Sequence, residues 1–142
     1  MPLFRLFASD DGATHIEPLA ASQFSFEHGP GDFKGLGGMV LGDATRVLLM
    51  RFEPGIALAP HRANPGLAVL LEGELTVAVS DGTEVAMSPG DAILVESTGK
   101  GGWAPRNAGP ELALMTIAQM PPTEAPGQPT GQTSAPPPGP AG

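Results

Sequence analysis

The chain contains no cysteine and no tyrosine, and it has a single tryptophan among its 142 residues. Without cysteine it can form no disulfide, no zinc–thiolate site and no thiolate nucleophile. Without tyrosine it cannot use a phenol as a catalytic acid. These absences exclude redox-stabilised scaffolds and several common reaction chemistries before any motif is considered.

Positive charge is also scarce, with 7 Lys and Arg against 15 Asp and Glu and a formal net charge of −8. A nucleic-acid partner would require a clustered basic surface, so we expect none. No stretch approaches the roughly 18 apolar residues of a membrane span, and the first residues do not resemble a charged leader followed by a long apolar run. We expect a cytoplasmic protein with no membrane partner.

The length allows one domain with a sizeable core, and the composition divides the chain into three parts. Residues 1–42 form an N-terminal extension that is partly loop and can supply an extra strand. Residues 43–120 carry the main fold. Residues 121–142 consist mainly of Pro, Gly, Ser, Thr, Ala and Gln. Such a segment has too little apolar surface to offset its chain entropy, so we predict a disordered tail.

The central part has the pattern of short β-strands. Residues Leu75–Val79 and 83–87 flank Ser80-Asp81-Gly82, and Asp-Gly between two β-type runs favours a tight hairpin. Further runs of β-branched and apolar residues lie at 45–52, 67–71, Ala92–Val95 and 112–117. No convincing amphipathic helix separates them. Short strands at short intervals indicate an all-β sandwich or barrel rather than βαβ units.

Two groups of residues identify a resemblance to a known family. The first is Gly55, then five residues, then His61, with Gly73 after the following apolar run. The second is Pro89-Gly90-Asp91 followed by Asn107. Together they resemble the two sequence motifs of the cupin superfamily, over roughly residues 46–119. The resemblance implies an antiparallel β-barrel, also called a double-stranded β-helix or jelly roll, and an assembly as a homodimer.

Many cupins hold one metal ion on three His and one Glu, and most of these ligands are missing here. The second His position is Ala63, the Glu position falls at or next to Leu67, and the third His position is Trp103. A divalent ion needs three or four convergent ligands, and His61 alone does not provide them. We expect no metal and no other cofactor. Additional imidazoles from His15 and His28 remain the alternative source of ligands.

His61 is the candidate catalytic residue and a candidate ligand contact. Its pKa lies near neutrality in the free amino acid, so it can act as a general base or as a hydrogen-bonding group for a ligand beside Asn64. The alternative is a loop histidine that faces solvent or binds a backbone carbonyl. Trp103 offers either a flat stacking surface inside the barrel or a plug that fills it.

Three cations are predicted near the mouth of the barrel, namely Arg62, Lys100 and Arg106. In a protein this acidic they could attract a carboxylate or a phosphate. The alternative is that they pair with neighbouring Asp and Glu side chains on the surface.

Three functional hypotheses follow from these residues. The first is a cupin that binds a small molecule, either neutral or anionic, without the usual metal centre. The second is a metal-dependent oxygenase, isomerase or lyase with a diverged ligand set that includes His61. The third is a structural module whose barrel is filled by side chains. The missing ligands favour the first and the third hypotheses over the second.

Overall fold

The computed structural model describes residues 3–24, 26–28 and 35–121. Within these ranges the protein is all-β, and its only helical segment is one 3-10 turn at Ala21–Gln23. No helix in the described part is long and apolar enough to cross a membrane. The tail predicted to be disordered, apart from Pro121, lies outside the described residues, as does part of the N-terminal extension.

The described residues form eleven strands, two of which contain only two residues each. Their bounds are β1 Leu3–Ala8, β2 Thr14–Leu19, β3 Glu27–His28, β4 Gly37–Gly38, β5 Arg46–Phe52, β6 Gly66–Glu72, β7 Leu75–Val79, β8 Glu84–Met87, β9 Ala92–Val95, β10 Trp103–Arg106 and β11 Ala113–Gln119. All six strands predicted from the central sequence are confirmed, and those at Leu75–Val79 and Ala92–Val95 have the predicted bounds.

Two sheets contain most of these strands. The larger has the order β2-β1-β9-β6-β11-β5, the smaller has the order β10-β7-β8, and β3 pairs only with β4. All pairings are antiparallel except that of β1 with β9. The N-terminal extension therefore contributes a whole hairpin to the larger sheet.

Strand β10 was missed because its four residues contain Pro105 and follow a glycine run. Proline lacks the N–H that a central strand must donate, so it argues against a strand in the sequence. In the structure β10 is at one end of the three-stranded sheet, where proline is tolerated.

The hydrophobic core lies between the inner faces of the two sheets. Side chains alternate between core and exterior along each strand, as the period of two requires. On β6 the buried residues include Ala68 and Leu70, and on β7 they include Val77. Trp103 on β10 completes this cluster at 6% exposure. Both sheets thus contribute to one continuous core.

Strand β5 is the edge strand of the larger sheet, and its two faces differ. Met50 and Phe52 point towards the core, whereas Val47 and Leu49 are 73% and 66% exposed. An edge strand with exposed apolar side chains presents unpaired backbone groups next to a hydrophobic surface.

Candidate functional site

The connection between β5 and β6 lies alongside β10 and is held there by backbone hydrogen bonds. His61 N–H donates to the carbonyl oxygen of Trp103 at 3.0 Å, and Trp103 N–H donates to that of His61 at 2.9 Å. Leu58 N–H donates to the carbonyl oxygen of Pro105 at 3.0 Å. This pairing places the imidazole and indole ring centroids 6.3 Å apart, with the ring planes inclined by 61°.

The close approach of this connection to β10 depends on a glycine. Gly102 has a φ of +65°, a left-handed conformation that side-chain-bearing residues rarely adopt. A Cβ at this position would also collide with the backbone carbonyl of His61. The sequence needs glycine here for the two backbones to pair, and this pairing brings His61 next to Trp103.

A cavity of about 220 Å³ opens beside this pair of rings. Its wall is apolar, and its main contributors are Met50, Phe52, Leu58, Trp103, Met115 and Ile117. Polar groups are contributed by His61, Arg62, Asn64 and Gln119. His61 and Arg62 are also exposed, so they lie at the mouth of the cavity. An apolar pocket with a few polar groups at one end is the usual form of a small-molecule site.

The structure brings together four of the six residues selected from the sequence. His61, Arg62, Asn64 and Trp103 all line the cavity. Arg106, by contrast, is the last residue of β10, and its guanidinium binds both carboxylate oxygens of Glu84 at 3.0 and 3.1 Å. This pairing, through its hydrogen bonds first and its charge second, lowers the pKa of Glu84 and raises that of Arg106.

Lys100 is also placed away from the cavity lining. Its backbone N–H donates to the carbonyl oxygen of Gly12 at 2.9 Å, and its side-chain carbons lie beside that glycine. Lys100 therefore packs against the turn between β1 and β2. Arg62 is the one predicted cation that the structure places at the cavity.

His61 has one ring nitrogen occupied and one available. Its Nδ1 lies 2.9 Å from the carbonyl oxygen of Ala59, and because a carbonyl only accepts, Nδ1 must carry the proton. Among the described residues, none forms a hydrogen bond with its Nε2. In the neutral imidazole that nitrogen is an acceptor, so it can take a hydrogen bond or a proton from a bound molecule.

Trp103 forms a wall of the cavity with a flat indole surface. The indole Nε1 is buried and has no hydrogen-bond partner within the described residues. Leaving such a group unpaired costs about 1–3 kcal/mol. Since this atom is closed off from solvent, a molecule in the cavity contacts the indole through its carbon framework.

Gln119 is a polar lining residue that the sequence reasoning missed. It is the last residue of β11 and pairs in register with Gly66 of β6. The predicted strand ended at residue 117, and extending its alternation by one further period would have placed Gln119 on the same face as Ile117.

The residues at the positions that the resemblance to cupins assigns to metal ligands do not fit a metal centre. Ala63 lines the cavity but has no donor atom, and Leu67 points to the outer face of β6, which leaves Gly66 and Ala68 facing the cavity. In the part of the chain that the structure describes, no three His, Cys, Asp or Glu side chains come close enough to hold an ion. The side chain of His28 lies outside the described residues.

Asn107, which matches the second cupin motif, has a structural role. It is buried, and its amide donates to the carbonyl oxygens of Phe52 and Glu111 at 2.9 and 2.8 Å. Its Oδ1 accepts from Gly109 N–H at 3.0 Å. With all its hydrogen-bonding groups used by the protein, Asn107 fixes the loop between β10 and β11 to the end of β5.

A second polar cluster, the hairpin clasp, joins the turn of β1–β2 to the turn of β7–β8. His15 Nδ1 lies 2.7 Å from Asp81 Oδ2, and His15 Nε2 lies 2.8 Å from Ser9 Oγ. Ser9 Oγ is also hydrogen-bonded to Asp11. No sequence pattern predicts this cluster, because its members belong to two hairpins that are distant along the chain.

The hairpin clasp has the contacts of a Ser-His-Asp triad without its proton arrangement. A serine hydroxyl has one proton, and the carboxylate of Asp11 can only accept it. Since Asp11 and His15 Nε2 both contact Ser9 Oγ, the carboxylate competes with the imidazole for the single hydroxyl proton, which argues against His15 as the base that activates this hydroxyl. The hydrogen bond from Ser9 is the main cause that lowers the pKa of Asp11. The clasp is a structural link between the two turns.

No protein-family model matches this chain, and comparison with curated proteins finds no match either. What the protein does is therefore inferred from its own residues.

Proposed function

We propose that this chain is a cupin-type β-barrel protein that binds a small molecule in the cavity, without a three-His, one-Glu metal centre. One observation carries the proposal. His61, Arg62, Asn64 and Trp103, selected from the sequence as ligand contacts, line one apolar cavity of about 220 Å³. Convergence of a few polar groups on an apolar pocket is the arrangement expected of a ligand site.

The cupin assignment is supported by the motif residues at turns. Gly73 has a φ of +79°, and a Cβ there would collide with the backbone of Leu112 and Ala113. Asp91 closes the turn before β9 by accepting a hydrogen bond from Ser88 N–H at 2.8 Å. The turn at each position requires the residue that the cupin motif has there, a glycine at 73 and a hydrogen-bond acceptor at 91.

Each lining group has a distinct role in the proposed site. The apolar wall removes the body of the ligand from water, and the indole of Trp103 provides a stacking surface. His61 Nε2 accepts a hydrogen bond, and Asn64 can donate and accept. Arg62 supplies positive charge at the mouth. The site binds and orients, and His61 is its candidate general base.

The two alternatives have less support. A metal-dependent enzyme would need ligands besides His61, and the positions that supply them in cupins carry no donor atoms. In a purely structural barrel, side chains would fill the interior. The cavity of about 220 Å³ argues against such a filled interior. Metal analysis of the purified protein tests the first alternative, since a stoichiometric metal lost in His61→Ala would favour that enzyme over the proposed function.

A cavity-filling substitution tests the proposed function directly. Trp103 is the only tryptophan, so its fluorescence reports on the cavity wall.

A panel of one-ring aromatic and short aliphatic compounds should change this emission saturably in the native protein. Ala63→Phe, which fills the cavity, should abolish the response. Ala118→Phe, on the outer face of β11, is the matched control and should retain it. A native protein that responds to no compound in the panel would contradict the proposal.

We propose in addition that the protein is a homodimer formed through β5. The exposed Val47 and Leu49 on this edge strand favour contact with a second copy, because two identical edges can pair around a two-fold axis. Leu49→Lys should convert a dimer to a monomer in sedimentation experiments. Leu71→Lys, at another exposed apolar position of the same sheet, is the control. A native monomer at micromolar concentration would contradict this assembly.

A further inference from the structure

We infer that the ligand carries a single carboxylate on an apolar body about the size of one aromatic ring, and that Arg62 binds the carboxylate. The inference rests on the proposed ligand-binding function and narrows it to a chemical class. Three properties of the cavity support it, namely its volume and, within the described residues, a lining without acidic side chains and an Arg62 without an ion-pair partner.

The volume sets the size of the body. An engineered protein cavity of about 150 Å³ with an apolar lining is known to bind benzene. The cavity here is larger, at about 220 Å³, and opens at one end. It therefore has room for one ring or a short branched chain together with one polar substituent at the mouth. Two fused rings with substituents would exceed it.

The charge of the lining favours an anion. Of the described residues that line the cavity, none is Asp or Glu, whereas Arg62 supplies a guanidinium cation. This is unusual for a chain of net charge −8, in which acidic residues outnumber basic ones by about two to one. An anion bound here meets a cation without a competing carboxylate from the cavity wall.

Arg62 forms no ion pair within the described residues, whereas three of the other four arginines do. Arg5 is paired with Glu17 and Glu96, Arg51 with Glu53, and Arg106 with Glu84. No carboxylate within the described ranges lies within ion-pair distance of Arg62. A guanidinium without an internal partner can bind the two oxygens of a ligand carboxylate through two parallel hydrogen bonds.

A carboxylate fits the site better than a phosphate does. Phosphate groups in proteins are held by helix N-termini, by backbone N–H nests or by several cations. The cavity has one cation and, in the described part of the chain, no helix that points at it. A second negative charge would be uncompensated beside an apolar wall. The ligand therefore carries one charge, at the end opposite its apolar body.

Matched probe molecules separate the carboxylate from the body that carries it. Benzoate, benzamide, phenyl phosphate and acetate are titrated into the native protein and followed by calorimetry and by Trp103 fluorescence. Benzoate should bind at least about tenfold more tightly than benzamide, because a charge-assisted pair of hydrogen bonds is worth that much or more. Phenyl phosphate and acetate should bind most weakly of the four probes. Phenyl phosphate carries a second negative charge, and acetate lacks the apolar ring.

Two charge-matched variants locate the interaction. Arg62→Gln should weaken benzoate binding about tenfold or more and leave benzamide binding unchanged. Arg51→Gln also removes one positive charge, but from the face of β5 that points away from the cavity. This variant should bind both probes as the native protein does. Thermal unfolding confirms that both variants are folded, as expected for exposed positions.

The possible outcomes distinguish the inference from the proposed function. If benzamide binds as tightly as benzoate, or if Arg62→Gln leaves benzoate unaffected, the carboxylate assignment is wrong and small-molecule binding stands. Tighter binding of phenyl phosphate than of benzoate likewise overturns the assignment. If none of the four probes and no compound of the wider panel binds, the proposed function fails together with the inference.

Discussion

His15 and His61 illustrate the difference between a structural and an available imidazole in the same chain. In the hairpin clasp both ring nitrogens of His15 have partners, Asp81 and Ser9, at 2.7 and 2.8 Å. At the cavity, Nδ1 of His61 binds the carbonyl oxygen of Ala59, and Nε2 has no partner among the described residues. A histidine with two protein partners contributes to stability, whereas one with a free nitrogen beside a cavity can contribute to binding.

The two regions also differ in how their charges are arranged. The hairpin clasp places a histidine between carboxylates and uses them to join two turns. The cavity mouth places Arg62 beside an apolar wall to which the described part of the chain contributes no carboxylate. Ion pairs that are internally satisfied need no ligand, whereas an unpaired cation next to a cavity gains a partner only from outside. Substitutions of the polar side chains should therefore affect stability at the hairpin clasp and binding at the cavity mouth.

Glycines in the two regions should give the largest difference in stability. Gly102→Ala combines an unfavourable positive φ with a collision against His61, and it should cost about 3 kcal/mol and abolish ligand binding. Gly82, in the turn beside Asp81, also has a positive φ, of +94°, but has open space around it. Gly82→Ala should cost about 1 kcal/mol and leave binding intact. Urea unfolding of both variants measures the difference, and equal losses would contradict the described pairing of His61 with Trp103.

Alanine substitution of the two histidines should give smaller effects, on stability at His15 and on ligand binding at His61. His15→Ala removes one exposed and one partly buried hydrogen bond and should lower the free energy of unfolding by about 1 kcal/mol without changing benzoate affinity. His61→Ala should change that free energy by less than about 0.5 kcal/mol and weaken ligand binding. Denaturant unfolding and calorimetry on both variants check this. A stability loss confined to His61→Ala would reverse the assignment.

The smallest effect should be on the pH dependence of stability. Hydrogen bonds from Thr83, and then from His15, lower the pKa of Asp81 in the folded protein. The stabilisation is therefore present above the ordinary aspartate pKa of about 4 and is lost as the pH falls through the lower folded value. Asp81→Asn should make unfolding less steeply dependent on pH below about pH 4. An unchanged acid profile would show that Asp81 contributes nothing to it.

The sequence predicted the strands better than it predicted the site. The sequence predicts Leu75–Val79 and Ala92–Val95 with their observed bounds, because a short apolar run between turn residues has few alternatives to a strand. The pairing of β1 with β9 was not predictable, since it joins segments far apart in the chain and leaves no local pattern. The same reason hides the contact between His15 and Asp81.

For the cavity, the sequence indicated four lining residues and missed the geometry that selects among the cations. Arg62, Lys100 and Arg106 look alike in the sequence as basic residues near glycines or prolines. Only the registers of β7, β8 and β10 show that Arg106 reaches Glu84, and only the packing of the β1–β2 turn shows where Lys100 lies. The choice of partner depends on tertiary structure, which composition and spacing do not encode.

Ligand binding by this protein requires that the cavity beside Trp103 is open and accepts a small apolar body. Xenon NMR tests it most directly, because xenon binds apolar cavities without needing any polar group. A saturable change in the xenon-129 shift in the native protein, absent in Ala63→Phe and retained in Ala118→Phe, is the predicted result. An identical, unsaturable response in all three proteins would show that the cavity does not bind, and would contradict the account.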